Sequence, residues 1–298
     1  MDTHLWREEL LALSNTRILP TERPVIPEEI RRRRRGSRAG LKRRERKKRY
    51  KPFIPSVITG NVRSLSNKME ELTALTRLQR EYRECSIMCF TKTWLNDLST
   101  DSLVTLDGFQ LVRADRKAKE SSKRKGGGIA MFVNERWCNP GHVRVKEQWC
   151  TKDIELLAVS MRPYYLPREF SHVIALTVYI PPSADATAAH ELLHTVVSQL
   201  QTSHPQSLLL ISGDFNHASL SSTLPTFTQY VKCHTRGNKT LDLQYANTKD
   251  AYSSSPLPPL GHSDHNLVHL LSVYIPLVNK QPPITVYVRN GLRRLVRH

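Results

Sequence analysis

Leu208-Leu-Leu-Ile211 is a short, unbroken apolar run, closed by Ser212-Gly213 and followed at once by Asp214 and Asn216. Such a run between turn signals reads as a fully buried strand. If strand geometry continues, Asp214 and Asn216 point to the same side, because side chains alternate with period two. A buried strand then delivers two oxygen-bearing side chains to the rim of a sheet, which suits a hydrolase holding a water or a hard metal ion. The same residues also read as an Asx-turn, with Asp214 and Asn216 bonding local backbone. The stretch alone leaves both readings open.

Further runs of this kind recur along the chain. Ser56–Thr59, Ile87–Phe90, Phe109–Val112, Ile129–Val133, Val143–Lys146, Leu156–Met161, Val173–Ile180, Leu241–Leu243 and Asn266–Tyr274 all read as strands. Two segments have helical spacing: Lys68–Tyr82, with Asn67 as its cap, and Asp185–Leu200, with Asp185 as its cap. Lys117–Gly128 is a Lys-rich loop, and Pro256–Gly261 is a Pro-rich one. Many strands with few helices predict an α/β fold, a four-layer sandwich of two packed, mostly antiparallel sheets flanked by helices.

Charge divides the chain. Arg31–Lys51 holds 14 basic residues and one acid, Glu45, so it carries +13 of the net +18. Arg31, Arg32, Arg33, Arg34, Arg35, Arg43, Arg44, Lys47, Lys48 and Arg49 are its candidate phosphate contacts. Self-repulsion keeps such a segment unfolded without a polyanionic partner. It reads as a nucleic-acid-binding arm, a nuclear import signal, or both, against the alternative of a solvated linker. The expected organisation is a disordered basic arm over 1–51, a globular domain over 52–276 and a basic tail over 277–298. No apolar run approaches the ~18 residues of a membrane helix, and no secretory signal opens the chain. The five cysteines lack paired CxxC spacing and read as reduced thiols of an intracellular protein. Nuclear localisation is expected, with the cytoplasm as the alternative.

Polar residues sit at the ends of the strands or in short ones: Asn61, Lys92, Tyr179, Asp214, Asn216, Asp242, Asp264 and His265. Asp264-His265 pairs a carboxylate with an imidazole at the mouth of the closing strand, suited to metal binding and proton transfer; a cap with a surface His is the competing reading. His262, His265 and His269 invite a zinc reading, but no Cys is near and the segment favours a strand.

Six motifs carry a resemblance: Gly60-Asn-Val-Arg-Ser-Leu-Ser-Asn-Lys-Met69, Cys89-Phe-Thr-Lys-Thr-Trp-Leu95, Val178-Tyr-Ile-Pro-Pro182, Gly213-Asp-Phe-Asn216, Leu241-Asp-Leu243 and Gly261-His-Ser-Asp-His265. In this order, over about residues 52–275, the chain resembles the endonuclease domain of non-LTR (LINE-type, jockey-like) retrotransposons, in the DNase I-like endonuclease/exonuclease/phosphatase superfamily. The resemblance implies Mg²⁺- or Mn²⁺-dependent hydrolysis of a DNA phosphodiester, with DNA as partner and RNA as a further one through the basic arm. It implies Asn61 and Asp264 near the metal, and Asp214 and Asn216 activating water. It also implies His265, held by Asp242, and Tyr179 on the scissile phosphate.

At one position the chain departs from this pattern. The family carries a metal-binding Glu where this chain has Lys92. A protonated Lys has three donors and no acceptor, so it cannot ligate a metal ion. The expectation is an endonuclease domain impaired at the metal site, or else a catalytically inactive nucleic-acid-binding remnant of a truncated polyprotein. The chain shows no polymerase motif, which is expected of such a truncation.

Overall fold

The computed structural model describes residues 52–96, 98–117, 126–216 and 218–277. The basic arm, with all its candidate phosphate contacts, lies outside them, as do residues 278–298 of the tail. Two six-stranded sheets form. The first contains β1 (Val57–Asn61), β2 (Ile87–Thr91), β3 (Phe109–Ala114), β4 (Ile129–Asn134), β11 (Tyr252–Leu257) and β12 (Leu267–Ser272), in the order β11-β12-β1-β2-β4-β3. The second contains β5 (Val143–Cys150), β6 (Glu155–Met161), β7 (His172–Tyr179), β8 (Ser207–Asp214), β9 (Thr228–Gln229) and β10 (Asp242–Ala246), in the order β5-β6-β7-β8-β10-β9. The pairs β1–β2 and β7–β8 are parallel, and the other pairs are antiparallel. Among the described residues no helix is long and apolar enough to cross a membrane, and none of the five cysteines is in a disulfide.

Alternation sorts the apolar side chains into three cores. Val57, Ile87, Cys89, Leu157, Val159, Leu208 and Leu210 meet between the sheets. Leu209, Ile211, Leu176 and Val178 face the other way and pack under α3 (Ala186–Ser203). Ile58, Met88, Phe90 and Phe132 pack beneath α1 (Met69–Leu78) and α2 (Arg80–Arg83) on the outside of the first sheet. The result is the four-layer sandwich.

Three local expectations differ from the structure. The helix expected over Lys68–Tyr82 breaks at Gln79, whose backbone is extended, and Leu78 is left 82% exposed. Asn67 does not cap it: a 3₁₀ turn, Ser66–Lys68, precedes α1 and no side chain caps the first turn. The Pro-rich segment begins inside β11, where Pro256 pairs with Val268. A proline is tolerated there because β11 is an edge strand with one side free of the ladder. The Asp185 cap holds, its carboxylate accepting from Thr187 N at 2.9 Å and Ala188 N at 3.3 Å.

Candidate active site

The same alternation that fills the central core continues to the rims of both sheets. Counting in twos from Val57 reaches Asn61, from Leu157 reaches Glu155, from Leu208 reaches Asp214, and from Ala246 reaches Asp242. Glu155, Tyr179, Asp214 and Asp242 are successive cross-strand neighbours in the second sheet. Asn61, from the first sheet, faces them. A row of polar side chains therefore closes the space between the sheets at one end.

The contacts are short and buried. Asn61 Nδ2 donates to Asp214 Oδ2 at 2.8 Å and lies 3.4 Å from His265 Nε2. His265 Nδ1 and Asp242 Oδ2 are 2.6 Å apart, both side chains having no solvent exposure. With the proton on Nδ1, His265 Nε2 is left as an acceptor facing Asn61. Ser263 Oγ donates to the Asn61 carbonyl at 2.7 Å, tying the His265 loop to the end of β1. Among the described residues Asp242 Oδ1, which is buried, has no hydrogen-bond partner. Burial raises the Asp214 carboxyl above the usual carboxylate range, and the Asp242 charge adds to this; Lys92, His265 and the Asn216 N–H oppose it. Tyr179 is pushed up to about 12, first by burial and then by the Asp214 charge.

Lys92 enters this group. Its Nζ lies 3.3 Å from Asp214 Oδ2 and 5.1 Å from the centre of the Tyr179 ring. Ile87 and Cys89 of β2 face inward while Met88 and Phe90 face the helices, so a straight strand would send Lys92 outward. Its backbone is left-handed instead, with φ of +53°. The chain leaving β1 also turns this way at Arg63 (+42°) and Ser64 (+77°), and the chain leaving β8 at Asn216 (+50°). Non-glycine residues of this kind cost of order 1–3 kcal/mol each and gather at functional sites.

Of the sequence-predicted residues, the structure brings together Asn61, Lys92, Tyr179, Asp214, Asp242 and His265. Two stand apart from the expectation. Asn216 does not continue the strand beside Asp214: β8 ends at Asp214 and Phe215 is buried under α3. The Asn216 N–H bonds Asp214 Oδ1 at 3.2 Å and its side chain donates to the Ile180 carbonyl at 2.7 Å. The Asx-turn thus forms on Asp214, whose Oδ1 accepts from the Asn216 N–H while its Oδ2 faces the group. Asp264 is 37% exposed and pairs with Arg236 at 2.8 Å and Arg63 at 3.9 Å. Burial alone would raise its carboxyl; Arg236, its own backbone N–H, His265 and Arg63 outweigh that and hold it below the usual range. Lys92 pairs with Asp214, while Asp264 is taken up by the two arginines.

Four residues at or beneath this rim were not among the sequence-predicted site residues. Glu155 pairs with Arg116 and accepts from the Gly128 N–H at 2.6 Å. The Arg116 guanidinium lies 5.7 Å from the Tyr179 ring centre. Lys68 donates to the Val62 and Arg63 carbonyls and pins the left-handed turn after β1. Thr235 Oγ1 accepts from the Leu241 and Asp242 N–H groups and sets the start of β10. None of these pairings follows a period or a local spacing, so only the Lys and Arg content near the motifs hinted at them.

Asp214, Asp242 and His265 place three possible ligand atoms within 4.8 Å of one another, so the trio by itself could hold a metal ion. With Lys92 in place it does not fit one. Hard divalent ions need oxygen ligands, and Asp214 Oδ2 already faces two donors, one of them a cation. At about 4 Å, a doubly charged ion and an ammonium repel by several kcal/mol at an effective dielectric near 20.

No protein-family model matches the sequence, and no curated protein does. Solved structures share its fold. An AP endonuclease, LMAP, from Leishmania major has 14% identity over 77% of this chain and 95% of that chain, with a TM-score of 0.57. An endonuclease/exonuclease/phosphatase family protein from Leptotrichia buccalis has 12% identity over 74% of this chain and 100% of that one, with a TM-score of 0.52. The endonuclease domain of TRAS1, a telomere-specific non-LTR retrotransposon, has 15% identity over 73% of this chain and 97% of that one, with a TM-score of 0.50.

Proposed function

We propose that this chain is a retrotransposon-derived DNA endonuclease domain that still binds nucleic acid but whose hydrolytic step is blocked at Lys92. The observation that carries the reading is the Lys92 ammonium 3.3 Å from Asp214 Oδ2, within the buried group at the sheet rims. Phosphodiester hydrolysis needs a base for the attacking water and positive charge for the phosphoryl oxygens. Asp214 is the candidate base, but Asn61 and Lys92 both engage the oxygen it would use. The metal that would supply the positive charge in related folds does not fit beside the ammonium.

What remains suits phosphate binding. Lys92 and the Tyr179 hydroxyl are the candidate donors on one rim, beside His265, which Asp242 holds. An ammonium is a point charge that holds a phosphate, but it is not a Lewis acid that activates one. The basic arm adds nonspecific affinity for the backbone through counterion release and serves as the candidate import signal. DNA is the proposed partner, with RNA reached through the arm.

The direct test incubates the purified chain with supercoiled plasmid and Mg²⁺ or Mn²⁺. The expected result is retarded plasmid that stays supercoiled over hours. Nicking by the unaltered chain, abolished by Asp214→Ala, would overturn the block. Absence of any retardation at low salt would overturn the nucleic-acid reading.

A further inference from the structure

Trp94 lies two residues beyond Lys92, and 46% of its surface is exposed. Its φ is +58°, a backbone region that bulky residues rarely keep. Its N–H bonds the Gly127 carbonyl at 2.9 Å. A Cβ on Gly126 would lie 3.5 Å from Arg116 Nη1 and 3.8 Å from Trp94 Nε1, so the indole edge and the guanidinium flank the same glycine. Arg116 and Lys92 in turn both lie over the Tyr179 ring. The rim therefore sets an aromatic, a cation, an aromatic and a cation side by side: Trp94, Arg116, Tyr179, Lys92.

Core packing does not account for Trp94. Trp137, by contrast, is 4% exposed in the central core. A half-exposed indole on an unfavourable backbone offers a flat ring on which a nucleic-acid base stacks, whatever the base. Of the two cations beside it, Arg116 is paired with Glu155 and nearly buried, so Lys92, paired with Asp214 and more exposed, is the one a phosphate would meet. We infer that Trp94 is the stacking platform for an unpaired base of a nucleic-acid strand whose backbone runs toward Lys92. The inference rests on the nucleic-acid reading above and names the part of the strand that this rim grips.

The test separates bases from phosphates. Two single strands of equal length, one with ordinary bases and one abasic throughout, present the same backbone charge to the full chain in EDTA. The unaltered chain should bind the base-bearing strand at least about fivefold more tightly, the lower end of one stacked base. That strand should also quench tryptophan emission saturably. Trp94→Ala should bring the two affinities within about twofold of each other. Trp94→Phe keeps a ring, so it should retain most of the preference while losing the quench; it also carries the test if the alanine variant fails to fold. Equal binding of both strands by the unaltered chain, an undiminished preference in Trp94→Ala, or an unchanged quench in Trp94→Phe would each overturn the role of Trp94 alone. Failure to bind either strand would overturn the nucleic-acid reading and this inference with it.

Discussion

Lys92 and Asp214 set each other's state. Asp214 is fully buried, and its carboxyl is raised by burial and by Asp242, with Lys92 the first of the groups opposing that rise. Removing the ammonium with Lys92→Met should raise the carboxyl further. A carboxyl raised above its unfolded value binds its proton more readily in the folded chain, so lowering the pH relieves the destabilisation. Lys92→Met should therefore be less stable than the unaltered chain at pH 7. The gap should narrow as the pH falls toward the unfolded carboxylate range near ~4. Urea denaturation at several pH values reads this, and a gap that widens on acidification would remove Lys92 from the electrostatics of Asp214. The residue scale also shows where sequence reasoning stops. That Lys92 reverses the charge of the Glu implied by the resemblance is visible in the motif; that it turns inward depends on a left-handed backbone that strand alternation argues against.

At the scale of elements, the ends of strands do the positioning. Asn61, Tyr179, Asp214 and Asp242 were legible because each continues, in phase, the inward face of an apolar run or closes a short strand. Asn216 was not, because β8 ends two residues earlier than the alternation suggests and Phe215 swings under α3. Asp264 was placed near the metal by resemblance, while its arginine partners come from the turn after β1 and from the Thr235–Leu241 segment, contacts that no local pattern encodes. Gly213 shows how tightly the β7–β8 pair is built. A Cβ there would lie 1.8 Å from the Val178 carbonyl oxygen, and its φ is +150°. Gly213→Ala must therefore push the two parallel strands apart at the point that carries Tyr179 and Asp214. A loss of more than ~4 kcal/mol is expected, beyond the ordinary range for point substitutions. Chemical denaturation checks it, and a variant within about 1 kcal/mol of the parent, a typical effect for a substitution, would show that the strands have room that the geometry denies.

On the scale of the whole molecule, the site belongs to neither sheet alone. Asn61 and Lys92 come from the first sheet and its exit turn, Tyr179, Asp214 and Asp242 from the second, and His265 from the segment entering β12. The four-layer architecture was readable from the strand runs because both sheets are apolar on both faces. The convergence of their rims was readable through the family resemblance, since the six motifs are spread over about 200 residues. Under the proposed function, such an assembly loses its chemistry through one side chain while the scaffold and the candidate phosphate-binding residues persist. Restoring the carboxylate is the measurement that bears most directly on this account. Lys92→Glu replaces the ammonium beside Asp214 with a carboxylate, the kind of oxygen ligand that Mg²⁺ takes. The variant should convert supercoiled plasmid to the nicked form in Mg²⁺ but not in EDTA, and adding Asp214→Ala or His265→Ala should abolish that conversion. A folded Lys92→Glu protein that leaves the plasmid intact, or an unaltered chain that nicks as fast as the variant, would contradict the claim that Lys92 is what holds this fold silent.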